Sequence, residues 1–248
     1  MVNASYLDEI PKVKQAFSDA DQVTVEMVLD SSKLEALAMM ALMPDKKLST
    51  MISKEDYDLV AEEFKAVMGA DLAMFEQLKP VTLSVLLTLM YIRQDQGDIL
   101  GKYTGAPLDI HFASEGKRTG KKVNTFETME EQMRILYDGE TPEKQAEHLV
   151  AFVKAKDEMK ASQKQLTDDY FEGDLNAMYA LSEKYADEMG DLTYMLDDRN
   201  VRWMELLPGL LKDGGQFVAV GALHLTGKKS LITMLRAAGY TVKPLALK

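Results

Sequence analysis

Gln216-Phe217-Val218-Ala219-Val220-Gly221-Ala222-Leu223-His224-Leu225-Thr226-Gly227 is the stretch on which the fold turns. An apolar run follows Gly214-Gly215 and reads as a strand. Gly221 permits a tight turn or a close backbone approach. His224 comes three residues later, and a helical segment from Lys228 to Ala238 follows. This strand, turn and helix would set His224 near the carboxyl end of its strand, the edge where open α/β sheets bind ligands. A neutral imidazole there could ligate a metal or act as a base. It could equally satisfy a turn carbonyl.

Working outward, three more segments read as strands. They are Gln22-Val23-Thr24-Val25-Glu26-Met27, Lys122-Val123-Asn124-Thr125-Phe126 and Tyr240-Thr241-Val242-Lys243-Pro244, the last after a helix-ending Gly239. Nearly everything else reads as helix. Ser53 precedes Lys54-Glu55-Asp56 as an N-cap, and that helix stops at Gly69. A longer candidate from Asp71 to Gln96 is interrupted at Lys79-Pro80. Thr141-Pro142-Glu143 opens another that runs to Ala161, and two more cover Asn176 to Tyr185 and Thr193 to Leu211. Strands separated by helices predict an α/β or α+β fold, a small central sheet covered by many helices. The expected organisation is a single domain over residues 1–248. Residues 30–105 form an inserted helical lobe, and a second helical block covers 128–212.

The chain has 248 residues, no cysteine and a net charge of −11. Thiolate metal sites, iron–sulfur clusters, disulfides and cysteine nucleophiles are excluded. The acidic balance argues against nucleic-acid binding through bulk charge. The longest apolar run, Val81 to Ile92, is too short for a spanning helix of about 20 residues, so no transmembrane segment is expected. The first residues carry no basic start and no apolar stretch, so no signal peptide is visible.

Carboxylates are depleted in strands, so Glu26 at the end of Val23-Thr24-Val25 needs a reason. Glu127 repeats the arrangement after Val123-Asn124-Thr125-Phe126, although an acid there also suits the first turn of a helix. If the strands are parallel neighbours, Glu26, Glu127 and His224 converge on one rim. Two carboxylates and an imidazole suit zinc, manganese or cobalt. Arg199 and Trp203 stand four apart on one helix face. The arginine would stack on the indole or clamp a carboxylate, or else pair on the surface with Asp197 or Asp198. His111 and His148 read as packing or surface histidines. The methionines around Met39-Met40 and Met43 read as core filler.

These residues resemble a known family. Asp198-Arg199-Asn200 with Trp203, the Val220-Gly221-Ala222-Leu223-His224-Leu225 run with Gly227, and Leu235 to Val242 are similar to the TraB/GumN family, which is related to the Tiki metalloproteases. The family reads R-N-x-x-W, then VGAGHL-x-G, then L-x-x-x-GY-x-V, and Leu223 departs from it where glycine is common. Ala20-Asp21 through Glu26 and Glu127-Thr128 with Gln132 match its N-terminal and central motifs in order.

The resemblance implies a metal-dependent, peptidase-like hydrolase acting on a peptide or protein. Two Gly-x-x-His histidines and a carboxylate would hold a divalent ion, manganese, cobalt or zinc. By residue, it implies His224 as the second metal histidine and Glu26 as the strand-end acid. Glu127 is the central acid, Arg199 and Asn200 the polar groups that steady an oxyanion or orient substrate, and Gly221, Trp203 and Gly227 the motif framework. The first Gly-x-x-His would precede a segment like Val2-Asn3-Ala4-Ser5-Tyr6. A chain that starts at Met1 would therefore lack that strand and motif, either through a misplaced start or through loss. The expected location is exported, periplasmic or surface-associated if an upstream signal was lost, and cytoplasmic otherwise. The alternatives are a non-enzymatic peptide-binding or regulatory protein, or an inactive truncated member.

Overall fold

The computed structural model describes residues 2–185 and 193–246. Its strands are β1 (Gln22–Val25), β2 (Lys122–Thr125) and β3 (Gln216–Ala219). Its α-helices in chain order are α1 (Pro11–Asp19), α2 (Leu34–Met40), α3 (Lys54–Met68), α4 (Pro80–Asp95), α5 (Gly97–Leu100), α6 (Leu108–Arg118), α7 (Met129–Asp138), α8 (Pro142–Lys154), α9 (Lys156–Glu172), α10 (Leu175–Lys184), α11 (Asp197–Lys212) and α12 (Leu231–Ala237). The fold is a small parallel sheet with many helices, as the α/β or α+β reading expects.

The chain divides into two compact units. The sheet unit comprises residues 1–29, 98–129 and 193–248, and the helical unit comprises 30–97 and 130–192.

In the sheet unit the strand order is β2-β1-β3, all parallel. Val23 pairs with Val123 on one side and Phe217 on the other. β1 is buried on both faces, as parallel strands under helices are. On the Val23 face, Phe17 of α1, Phe112 of α6 and Phe217 meet with ring centroids 4.7–5.3 Å apart. Helix α6 lies so close there that a Cβ on Gly116 would stand 2.6 Å from Val23 Cγ1, so only glycine fits.

The other face carries a polar ladder. Thr24 Oγ1 donates to Gln216 Oε1 at 2.9 Å, and Asn124 Nδ2 donates to Gln22 Oε1 at 3.1 Å. Beside it, Phe126, Trp203, Leu207 and Leu231 form a second core with Val218, which joins α11 and α12 to the sheet.

The helical unit buries Leu48, Val60, Phe64, Leu83, Leu87, Tyr91 and Leu149 in one core. Its helix ends follow the expected chemistry. Ser53 Oγ accepts from Asp56 N, and Gly69 closes α3 in the left-handed region at φ 68°. Buried Glu63 accepts from Tyr91 Oη at 2.8 Å and from Lys156 Nζ. Burial pushes the Glu63 carboxyl up, but those two donors outweigh it and hold it below its ordinary value.

Four expectations change. Residues 240–244 form no strand. Tyr240 N donates to Leu235 O at 3.0 Å and Arg236 Nη2 to Val242 O at 2.9 Å, so the segment spends its bonds on its own helix. The helix opened by Pro142 ends at Lys154, because Ala155 takes φ −96°, ψ 18° before α9 begins. Residues 72–75 are a 3-10 turn, and α4 starts at Pro80, whose missing N–H suits a first helical position. The helix expected from Lys228 starts only at Leu231, where Ser230 caps it by accepting from Thr233 N.

Candidate functional site

The three strands end before their acids and histidine, so those side chains sit on the turns at the carboxyl edge. Phe126 N donates to Val25 O at 3.1 Å and Glu127 N to Glu26 O at 2.9 Å, which holds Glu127 beside Glu26. On the other side Gly221 N donates to Glu26 Oε1 at 2.7 Å. A Cβ on Gly221 would lie 3.2 Å from that oxygen, so the glycine allows the approach. His224 sits one 3-10 turn beyond, its N–H on Gly221 O at 3.0 Å. Glu26, Glu127 and His224, from three parts of the chain, therefore share one rim.

Helix α11 brings Arg199 into their midst. Its Nη2 donates to Glu26 Oε2 at 2.7 Å and Glu127 Oε2 at 2.8 Å. Its Nε is shared between the two Glu127 oxygens at 3.1 Å each. Nη1 donates to Met195 O at 3.2 Å and His224 Nε2 at 3.1 Å. All five guanidinium N–H groups are thereby matched with acceptors. The guanidinium also lies 4.8 Å from the Trp203 ring centroid. Of the sequence alternatives, the stack and the carboxylate clamp hold together, while Asp197 lies 3.5 Å from Lys229 instead. Burial alone would lower the Arg199 pKa, but the two carboxylates outweigh it and raise it.

Asn200 fixes the imidazole. Its Nδ2 donates to His224 O at 3.2 Å and Lys229 O at 2.9 Å, so Oδ1 must face His224 Nδ1, 2.8 Å away. Nδ1 therefore carries the proton, and the Nε2 lone pair points at Arg199. Trp203, fully buried, stacks between Phe126 at 4.9 Å and His224 at 4.3 Å. Burial, then the adjacent Arg199 charge, lowers the His224 pKa to about 3. Gly227, at φ 81°, turns the chain into α12.

The sequence reading missed Arg202. Its Nη2 donates to Glu127 Oε1 at 3.3 Å, and its side chain is half exposed. Its spacing of three from Arg199 on one helix was the available signal. His111 lies on α6 against Phe112, and His148 on α8 in the helical unit. A hollow of about 130 Å³ follows Glu26 along the chain, lined by Met27, Val28, Leu29, Ile110 and Ala113 among others.

The donors can be tested against a divalent ion. His224 Nε2 and Glu26 Oε1 stand 3.9 Å apart, and Asn200 orients the imidazole as a metal ligand's partner would. Yet the Nε2 lone pair and Glu26 Oε2 both accept from Arg199. Among the described residues no three of His, Cys, Asp and Glu group to hold an ion. With Arg199 in place, these residues do not fit a divalent metal.

The motif order and this convergence agree with the comparison that decides the family: the family model for TraB/PrgY/gumN matches residues 2–244. The chain belongs to the TraB/PrgY/gumN family. No curated protein and no solved structure matches it. As a TraB/PrgY/gumN chain it contains, among the described residues, no helix long and apolar enough to cross a membrane.

Proposed function

We propose that this TraB/PrgY/gumN chain is a peptidase-like hydrolase whose reaction centre is the Glu26, Glu127, Arg199, Asn200, His224 cluster. The observation that carries the reading is the meeting of two carboxylates, an imidazole and two guanidiniums at the carboxyl edge of a parallel sheet. Within the cluster Glu26 is the carboxylate with the more exposed side chain, 21% against 4% for Glu127. Glu26 would take a proton from water as the water oxygen adds to an amide carbon, and return it to the leaving amine. The half-exposed Arg202 guanidinium would balance the charge that develops on the carbonyl oxygen. Glu127, Arg199 and Asn200 would hold Glu26 and His224 in place. The hollow beside Met27, lined also by Asp109, Ser114 and Lys117, would seat a side chain of the peptide. Metal dependence, which the family resemblance implies, would require Arg199 to leave the two donors.

The test is hydrolysis of a fluorogenic peptide mixture by the wild type and Glu26→Gln. A loss of about 100-fold or more in kcat/KM supports the reading. A Glu26→Gln variant with wild-type turnover sinks it. A second reading is a peptide-binding regulator without turnover. It is favoured by the complete internal pairing of the Arg199 donors, which leaves that guanidinium nothing to offer a substrate. Saturable peptide binding with no cleaved product would favour it.

A further inference from the structure

We infer that Arg199 is the resident cation of this site, filling the volume toward which His224 Nε2, Glu26 and Glu127 face, so that a divalent ion and the Arg199 guanidinium are mutually exclusive there. The inference rests on the reading above only in taking this cluster as the functional centre.

Three observations carry it. The first is geometric. The imidazole lone pair and one oxygen of each carboxylate lie 2.7–3.1 Å from the two terminal nitrogens of one guanidinium. A donor set of one imidazole and two carboxylates suits a borderline or hard divalent ion, and here it converges on a side chain instead. The second is orientation. Asn200 Oδ1 takes the Nδ1 proton and fixes the lone pair on Nε2, so the imidazole can only accept at that position. Such a buried acceptor suits an N–H or O–H donor or a metal ion, and here its partner is the cationic Arg199.

The third is charge. Glu26 and Glu127 bring two negative charges, and Arg199 and Arg202 bring two positive ones. The cluster is neutral as it stands. Adding a divalent ion beside Arg199 would leave an uncompensated double positive charge in a buried place, which is strongly unfavourable. Removing Arg199 instead leaves the two carboxylates with Arg202 alone, a net charge of −1, so a divalent ion brings the cluster only to +1 rather than +2.

Cobalt(II) is the probe, read by its visible d–d absorption and by thermal unfolding of the full chain. Wild type is expected to give no site-bound cobalt spectrum at millimolar metal. Arg199→Ala is expected to bind with at least 100-fold higher affinity, and Arg199→Ala/His224→Ala to lose the spectrum. If Arg199→Ala is unfolded in chelator, cobalt must restore its cooperative unfolding transition. A His224-dependent cobalt spectrum in the wild type overturns the inference. So does an Arg199→Ala protein, folded or unfolded, on which cobalt has no effect. These readouts do not depend on turnover, so a chain that never cleaves peptide leaves them intact. An active wild type that chelator does not inhibit agrees with them.

Discussion

Asn200 Oδ1 and His224 Nδ1 lie 2.8 Å apart, and that contact settles which imidazole nitrogen carries the proton. The amide cannot flip, because its Nδ2 already serves two carbonyls, those of His224 and Lys229. Asn200→Ala strands the His224 carbonyl and the imidazole N–H in buried surroundings, and the Lys229 carbonyl in a partly buried one. Equilibrium urea unfolding should show a loss of about 2–3 kcal/mol. A change below half a kcal/mol would mean that Asn200 does not hold the loop.

Arg199→Met removes the cation between two carboxylates. The uncompensated pair should cost about 3–5 kcal/mol, read by denaturant midpoint in the presence of chelator. Adding Glu127→Gln should recover part of that loss, because one of the stranded charges is gone. Strictly additive effects in the double variant would contradict the ion-pair geometry.

His224 sets a pH dependence. Its pKa falls from the ordinary 6.5 to about 3 in the folded chain, by burial first and Arg199 second. Between these values the unfolded state binds the proton and the folded state does not. The contribution is therefore intact above about pH 6.5 and is lost as pH falls toward 3, by at most on the order of 1 kcal/mol per pH unit. Trp203, the only tryptophan in the sequence, stacks 4.3 Å from that ring and reports the site by fluorescence. Stability of His224→Gln should fall less steeply with acid over this window. An identical slope would exclude His224 as the titrating group.

Two glycines should respond oppositely to alanine. Gly116→Ala drives a Cβ within 2.6 Å of Val23 Cγ1 and 3.2 Å of Val123 Cγ2, and should destabilise by about 1–3 kcal/mol. Gly209, inside α11, has nothing within 4 Å of its would-be Cβ. Gly209→Ala should gain about 0.5–1 kcal/mol from helix propensity. Thermal unfolding of both variants checks the pair.

Much of this site was legible because its residues break local rules. A glutamate at the end of a β-branched run is unfavourable unless the edge uses it, and that oddity marked Glu26 and Glu127 before any contact was known. Ser53 and Gly69 were legible for the opposite reason, because they follow helix-capping rules, and Gly221 because a turn needs it. Partners were not legible. Arg199 has nearer acids in sequence, Asp197 and Asp198, and only the sheet register brings Glu26 and Glu127 to it. Residues 240–244 have strand composition, but their backbone groups were claimed locally by Leu235 and Arg236. The stop at Ala155 carries no Gly or Pro signal in the sequence.

The middle strand of the sheet is the first to be made. β1 ends at Val25, yet its partners lie about a hundred residues later, at Lys122–Thr125, and nearly two hundred later, at Gln216–Ala219. On the ribosome, Val23 and Val25 must wait for about half of the chain before the β2 flank is covered and for almost the whole of it before the β3 flank is. Such distant pairing makes for slow folding and a long interval of exposed apolar backbone. A nonsense truncation before Gln216 would release a chain with one side of its central strand unzipped, a candidate for chaperone retention and aggregation and not for a smaller folded product.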